Sequence, residues 1–191
     1  MLQLRCDTGP TWVQAVLADL DSFLQDHAAN ERKAVASAMR LAVHHHDSTM
    51  LVDAMVDLAR EELEHFQMVY AILRERGVGL GQDAPDPYMT RLHGAMRKEV
   101  KSEFLLDRLV VFSIVEARGC ERFGLLADAL EPGKLRDFYS DLTRAEARHR
   151  GLFVRLARQL FDATAVSQRV EALVDVEASI VASLPHRAAL H

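Results

Sequence analysis

The amino-acid sequence predicts an all-α protein organised around four long amphipathic helices. Along four segments the apolar residues recur at alternating steps of three and four, which places them on one face of a helix. Glycine and proline concentrate between these segments, and no segment has the pattern of a β-strand. Because 191 residues can bury a sizeable core, we predict one domain over residues 1–191.

The helices follow one another with recognisable start and stop signals. A histidine turn at 44–46 ends the first long helix, and Ser48 is expected to cap the second. Gly77 ends the second, and the turn Glu131-Pro132-Gly133 separates the third from the fourth. The predicted helices begin with a short one from about Thr11 and continue at about 19–45, 49–76, 88–97, 102–130, 134–161 and 167–184. Short links make antiparallel pairs, and the long link 77–87 allows the second and third long helices to run parallel.

Two Glu-x-x-His pairs interrupt the apolar faces of the second and fourth long helices. Glu62 and His65 form the first pair, and Glu146 and His149 form the second. Residues three apart lie on one helix face, so each pair offers a carboxylate oxygen and an imidazole nitrogen to the same point. Both pairs keep the register of the surrounding apolar residues, which predicts that they point into the core and bind metal.

The first and third long helices each carry a single glutamate in the apolar register, Glu31 and Glu116. An ionised carboxylate in an apolar core is costly unless a positive charge compensates it. No Lys or Arg shares these inward registers nearby, so we predict that a metal cluster supplies the charge.

The two halves of the chain therefore repeat one pattern, a glutamate followed in the next long helix by Glu-x-x-His. This is the inward-facing carboxylate set of ferritin-like four-helix bundles that hold two metals, and we predict that architecture. Four carboxylates and two imidazoles suit two divalent ions, and iron or manganese fits better than zinc. Two further residues are expected to support the ligands, Glu61 as an acidic partner for His149 and His27 beside Glu31.

Composition excludes several classes of protein. The only cysteines are Cys6 and Cys120, without a Cys-x-x-Cys pair, which argues against a zinc ribbon, a rubredoxin-type module or a disulfide framework. The N-terminus lacks the features of a signal peptide, and no apolar run is long enough to span a membrane, so we expect a cytoplasmic protein without a membrane partner. The formal net charge of -5 provides no overall attraction to nucleic acid.

The pattern also ranks the functions of dimetal bundles. A radical-storing subunit would carry a tyrosine where this chain has Val69, and a rubrerythrin-like peroxidase usually has a cysteine-rich electron-transfer module. A ferritin cage usually lacks the complete second Glu-x-x-His pair. Activation of oxygen for hydroxylation is therefore the favoured chemistry.

Four stretches resemble the MiaE family of tRNA hydroxylases. They are HAANERKA at 27–34, AREELEHF at 59–66, VEARGCERF at 115–123 and EARH at 146–149. The resemblance covers about Trp12 to Leu160 and implies a diiron monooxygenase. The resemblance implies that such an enzyme would use O2 to hydroxylate the isopentenyl side chain of 2-methylthio-N6-isopentenyladenosine beside the anticodon. The implied iron ligands, with no catalytic residue beyond them, are Glu31, Glu62, His65, Glu116, Glu146 and His149.

The implied partners are tRNA and an external reductase or ferredoxin, because the chain has no flavin or nicotinamide fingerprint. We predict RNA contacts from a cluster of cations around the middle segment, Arg91, Arg97, Lys98 and Lys101. Two alternatives stay open, a small-molecule diiron hydroxylase of the quinone type and a ferritin-like iron-handling protein. A hydroxylase is expected to be a monomer or small oligomer, whereas an iron store would form a large cage.

Overall fold

The computed structural model describes residues 2–191, and within this range the chain is entirely helical and without strands. Every predicted helix is present. The observed helices are α1 Pro10–Ala18, α2 Leu20–His44, α3 Thr49–Glu75, α4 Pro87–Gly94, α5 Lys101–Ala129, α6 Lys134–Leu160 and α7 Ala163–Ser183. The chain divides into two compact units. Unit 1 contains residues up to Val13, 86–186 and His191, and unit 2 contains 14–85 and 187–190.

Unit 2 is built on the antiparallel pair α2 and α3. Asp19 caps α2 because its carboxylate accepts a hydrogen bond from the Ser22 N–H at 3.2 Å. Gly77 takes the left-handed conformation (φ 73°) just after α3, as predicted, and the next N–H, of Val78, donates to the Leu73 carbonyl. Ser48 occupies the N-cap position of α3, but its side chain makes no capping hydrogen bond. The predicted N-cap position of Ser48 is therefore confirmed, although its hydroxyl makes no capping hydrogen bond.

Unit 1 is built on the antiparallel pair α5 and α6. The Ser113 hydroxyl donates to the Arg150 carbonyl at 2.9 Å, and the Cys120 thiol donates to the Thr143 carbonyl at 3.3 Å. A step of seven residues forward on α5, from Ser113 to Cys120, corresponds to a step of seven residues back on α6, from Arg150 to Thr143. The two bonds therefore define a single antiparallel register along the pair. The same register brings the rings of Phe112 and Phe153 to a centroid distance of 5.1 Å.

Helix α7 packs on α4, α5 and α6, so α5 is covered on more than one face. The sequence predicted only one apolar stripe on α5 and missed the residues that face α7. One of these, Arg118, is fully buried and donates from Nε to Glu177 of α7 at 2.8 Å. Besides Glu177, unit 1 buries the acid Asp107, which accepts hydrogen bonds from Arg97 and Arg169. Burial of these charges is tolerable because each has a hydrogen-bonded partner of opposite sign.

Across residues 2–191, none of the helices combines the length and the apolar character needed to cross a membrane.

Candidate metal centre

In unit 2, three of the predicted ligands converge between α2 and α3. The Nδ1 atom of His65 lies 3.1 Å from Oε2 of Glu62 and 3.9 Å from Oε2 of Glu31. Both glutamates are buried, and the imidazole is 11% exposed. The Glu62 and His65 side chains meet because residues three apart share a helix face, and the antiparallel pairing of α2 with α3 brings Glu31 alongside.

His27 lies one helical turn before Glu31 on α2. Its Nε2 atom donates to Oε1 of Glu31 at 2.7 Å, and the imidazole is completely buried. This bond uses one oxygen of the Glu31 carboxylate and leaves the other, Oε2, facing His65. His27 therefore orients the Glu31 carboxylate within unit 2.

In unit 1, the corresponding three residues lie on α5 and α6. The Nδ1 atom of His149 lies 3.7 Å from Oε2 of Glu146, and both residues are buried. Glu116, on α5, is half-buried and presents a carboxylate oxygen within 4.8 Å of a ring nitrogen of His149. Gly119, one turn after Glu116, also faces Glu146, since a Cβ built there would lie at an ordinary contact distance of 3.9 Å from its Cγ.

These donors fit divalent cations of the hard to borderline class, such as iron or manganese. Both histidines direct Nδ1 at a carboxylate of their own unit, so the two triads present the same kinds of atom. In unit 1, the buried Oε2 atom of Glu146 accepts no hydrogen bond from any residue in the range 2–191. A buried carboxylate oxygen of this kind requires a positively charged or hydrogen-bonding partner, and a metal ion meets that need.

Cys120 lies one turn beyond Glu116 but points to another group. Its thiol donates to the Thr143 carbonyl, and burial raises the pKa of the thiol, although the charge of Arg150 opposes that shift. A metal-binding cysteine is a thiolate, whose formation an electropositive site favours by lowering its pKa. Cys120 is therefore a packed thiol in this structure.

The predicted RNA-binding cations have different environments. The Arg97 guanidinium donates hydrogen bonds to Asp107 and Glu103, and the Asp107 side chain is completely buried. Arg97 therefore stabilises unit 1 through these ion pairs. Arg91 is exposed and donates to the Ser183 hydroxyl at 2.8 Å. Lys98 and Lys101 are exposed at the start of α5. Glu61, predicted to support a ligand, is half-buried on α3.

Comparison with known proteins identifies the family. A family model described as tRNA-(MS[2]IO[6]A)-hydroxylase (MiaE) matches residues 1–191. The chain belongs to the MiaE family. A Pseudomonas putida protein named tRNA 2-(methylsulfanyl)-N(6)-isopentenyladenosine(37) hydroxylase is 34% identical over 180 residues, which are 94% of this chain and 87% of that protein. A Salmonella typhimurium protein of the same name is 36% identical over 133 residues, which are 70% of this chain and 48% of that protein.

A solved structure extends this MiaE family assignment to the fold. It is a Synechococcus protein described as having aldehyde deformylating oxygenase activity, and it matches with a TM-score of 0.93 at 34% identity. The match covers 98% of this chain and 94% of that chain. The predicted all-α, ferritin-like fold is confirmed by this similarity.

Helix α6 of unit 1 carries a concentration of positive charge that was not predicted from the sequence. Helix α6 contains seven basic and three acidic side chains, a formal charge of +4 in a chain whose net charge is -5. Several of its arginines lie outside the segment 88–101 in which RNA contacts were predicted. Counting charge helix by helix would have found them.

Proposed function

We propose that this protein is a diiron hydroxylase that adds one oxygen atom to the isopentenyl side chain of 2-methylthio-N6-isopentenyladenosine in tRNA. The observation that carries the proposal is that each unit presents a Glu and a Glu-x-x-His pair, with a histidine nitrogen close to carboxylate oxygens, in a chain of the MiaE family. The names of the Pseudomonas and Salmonella relatives supply the substrate.

The ligand set of this proposal has six members, three from each unit. Four carboxylates carry the charge that balances two divalent ions, and this balance accounts for burying so many acids. Nδ1 is the proposed ligating atom of each histidine because it faces the carboxylates. The proposed iron ligands are Glu31, Glu62, His65, Glu116, Glu146 and His149. We propose that residues 1–191 act as one diiron domain.

The protein's own groups prepare this ligand set. His27 donates a hydrogen bond to one oxygen of Glu31, and the other oxygen therefore already faces His65 before a metal binds. Glu61 is proposed as an acidic partner for His149. Burial of the triads keeps bulk water away from the reacting position. Two iron ions in this set would supply the activation of O2 that hydroxylation of a saturated carbon requires.

The reaction needs electrons and a substrate from outside the chain. One atom of O2 enters the product and the other is reduced to water, which consumes two electrons and two protons. We propose an external reductase or ferredoxin as the electron donor, acting in the cytoplasm where the tRNA substrate is found. A monomer or small oligomer suffices for this chemistry.

A single turnover tests the proposal. The protein is loaded with ferrous iron without oxygen and mixed with an anticodon stem-loop RNA that carries the methylthio-isopentenyl adenosine. Oxygen is then admitted and the nucleosides are analysed by mass spectrometry. A gain of one oxygen atom, which becomes labelled when 18O2 is used, is the expected result. Iron oxidation with an unchanged nucleoside would exclude this substrate.

The Synechococcus structure favours a second candidate, an oxygenase acting on an aldehyde. The same ferrous protein is therefore incubated with a long-chain aldehyde and oxygen as a parallel reaction. Conversion of the aldehyde without conversion of the RNA would select this second candidate.

A further inference from the structure

We propose that the basic end of unit 1 binds the RNA phosphate backbone. We define the basic end by five cations, Lys98, Lys101, Arg108, Arg155 and Arg158. This inference rests on the proposed function and adds to it a surface that holds the substrate.

The register of α5 and α6 places these cations together. Ser113 pairs with Arg150 and Cys120 with Thr143, so the beginning of α5 lies beside the end of α6. Continuing the register sets Arg108 level with Arg155. Lys101 lies at the same end, about two turns before Arg108 at the first residue of α5, and Lys98 lies just before the helix begins. The segment in which RNA contacts were predicted thus meets the arginines of α6.

Four of the five cations are available to a partner. Lys98, Lys101, Arg155 and Arg158 are exposed, and none of them forms an ion pair within the described range 2–191. Arg158 and Arg155 lie three apart and therefore share one face of α6. The Arg155 guanidinium lies over Gly151, where an added Cβ would come within 3.1 Å of Nη1. The glycine therefore leaves a shallow surface beneath this arginine.

The acids at this end do not cancel its positive charge. Asp107 binds Arg97 and Arg169, and Glu103 binds Arg97. Asp162 accepts hydrogen bonds from two backbone N–H groups at the start of α7. Glu99 and Asp162 are exposed, and their two negative charges reduce but do not cancel the five positive charges of the basic end. The exposed charge of the basic end is consequently positive, although the whole chain is acidic.

Arg108 adds a feature suited to a single-stranded loop. Its guanidinium lies over the rings of Phe104 and Phe112, at 5.8 and 5.6 Å from their centroids. Single-stranded RNA is commonly recognised by stacking of bases on aromatic rings and on guanidinium planes, together with contacts to phosphates. Arginine also forms paired hydrogen bonds with phosphate oxygens. An anticodon loop has the exposed bases and phosphates that such a surface binds.

The position of the basic end relative to the ligands in unit 1 is also suitable. On α6, Arg155 and Arg158 follow His149 by six and nine residues, which is about 9 and 14 Å along the helix axis. His149 is buried, whereas the two arginines are exposed. Because the arginines and His149 lie on different faces of α6, a nucleotide whose phosphates rest on the arginines would have to turn its base inward to approach the ligands, as in enzymes that extrude the base they modify.

Binding of RNA is the first test, and it does not depend on turnover. Anaerobic ferrous protein is titrated into fluorescent anticodon stem-loop RNA carrying the modified adenosine, over a series of salt concentrations. Arg155→Glu with Arg158→Glu is expected to weaken binding at least about tenfold and to lower the slope of log affinity against log salt by about one to two. Arg155→Lys with Arg158→Lys should retain most of the affinity, because the phosphate contact depends mainly on charge.

A matched control has the same change in charge outside unit 1. Arg40 and Arg74 are exposed arginines of unit 2, and Arg40→Glu with Arg74→Glu should bind RNA like the wild type. The two charge-reversal variants should contain equal amounts of iron. Equal RNA affinity of the two variants would overturn the proposal. Normal RNA binding combined with slower reduction by an acidic electron donor would overturn it in favour of that donor.

The test separates this inference from the proposed function. If the wild type binds RNA through the basic end but leaves the nucleoside unchanged, the proposed function fails and the binding surface stands. If the wild type hydroxylates the nucleoside and the variant with both arginines reversed keeps its affinity, the binding surface alone fails.

Discussion

The two triads contain the same ligand types, yet their surroundings differ. In unit 2, the residue four positions before the single glutamate is His27, which donates to Glu31 at 2.7 Å. In unit 1, the residue four positions before Glu116 is Phe112, whose ring packs on Phe153. The residue preceding the Glu-x-x-His pair also differs, being Glu61 in one unit and Ala145 in the other. The repeat therefore preserves the ligands but not the groups that orient them.

This difference shows that similar ligand spacing does not imply similar preparation of a metal site. Glu31 has its orientation set by a protein hydrogen bond, whereas the carboxylate of Glu146 has a buried oxygen without a hydrogen bond from residues 2–191. We infer that the unit 1 triad depends more on the metal for its final arrangement. Changes to ligands and to their supporting residues should therefore have different effects in the two units.

The largest expected effect comes from deleting a ligand. Glu62→Ala in unit 2 or His149→Ala in unit 1 removes a donor that nothing nearby replaces, and tight iron binding should be lost, with a fall in affinity of at least about 100-fold. Iron content after gel filtration measures this loss. Glu64→Ala, an exposed position on the same helix as Glu62, serves as the control and should keep full iron content. Retention of two irons by either ligand variant would refute the ligand assignment.

A large loss of stability is expected from breaking the buried ion pair of unit 1. Arg118→Met leaves Glu177 buried without its main partner and should lower the free energy of unfolding by about 3–5 kcal/mol. Urea denaturation followed by circular dichroism measures the change. Arg5→Met, which removes an exposed ion pair, should cost less than about 1 kcal/mol. The double variant Arg118→Met with Glu177→Leu should recover much of the loss, and failure to do so would assign the cost to packing.

A substitution at His27 tests directly whether its hydrogen bond to Glu31 makes the unit 2 triad different from that of unit 1. His27→Phe places in unit 2 the residue type found at the matching position of unit 1, and iron affinity should fall about 10- to 100-fold because Glu31 loses its hydrogen bond. His27→Gln retains a donor and should lose less. Titration with ferrous iron against a competing chelator measures both variants. An affinity for His27→Phe equal to that of the wild type would show that the hydrogen bond does not prepare the site.

The smallest expected effect is the pH dependence of stability that comes from Asp107 and its two arginine partners in unit 1. Burial would raise the pKa of Asp107, but hydrogen bonds from Arg169 and Arg97 outweigh it, and the pKa lies below its usual value. The stabilisation is therefore present above the unfolded-state pKa of about 3.9 and is lost as the pH falls towards the folded-state pKa. The expected loss is at most about 1.4 kcal/mol per pH unit in that window. Unfolding measured from pH 5 to 2.5 should show a shallower dependence for Asp107→Asn.

The sequence predicted the helices and the proximity of Glu to His within each Glu-x-x-His segment because both depend on local spacing. A Glu-x-x-His pair shares one helix face wherever the helix packs, so Glu62 with His65 and Glu146 with His149 required no knowledge of tertiary structure. The second side of α5 was missed because its burial depends on where α7 packs, and Arg118 resembles an ordinary surface residue in the sequence. The ion pairs of Arg97 were missed for a similar reason, since its partner Asp107 lies ten positions away on the next long helix.

The Ser48 hydroxyl illustrates a further limit. Its position before α3 matches the preference for serine at N-caps, but whether the hydroxyl reaches a backbone N–H depends on side-chain rotation, which the sequence does not specify. The basic end was missed because it combines residues of α5 and α6 that are distant in sequence. Only the antiparallel register brings Lys101 near Arg158.

Helix α6 carries His149 on its buried face and Arg155 and Arg158 on its exposed face without a break between them. Because an uninterrupted helix has a constant rise, the span from ligand to cation is nearly invariant. If Arg155 and Arg158 bind the RNA phosphates and His149 binds the metal as proposed, the helix would set the distance between the bound phosphate and the metal. A substrate could then react only if the distance from its phosphate to its reactive carbon matched this span. A longer or shorter connection would place the carbon too far from the metal or too near to it, whatever the reactivity of the carbon.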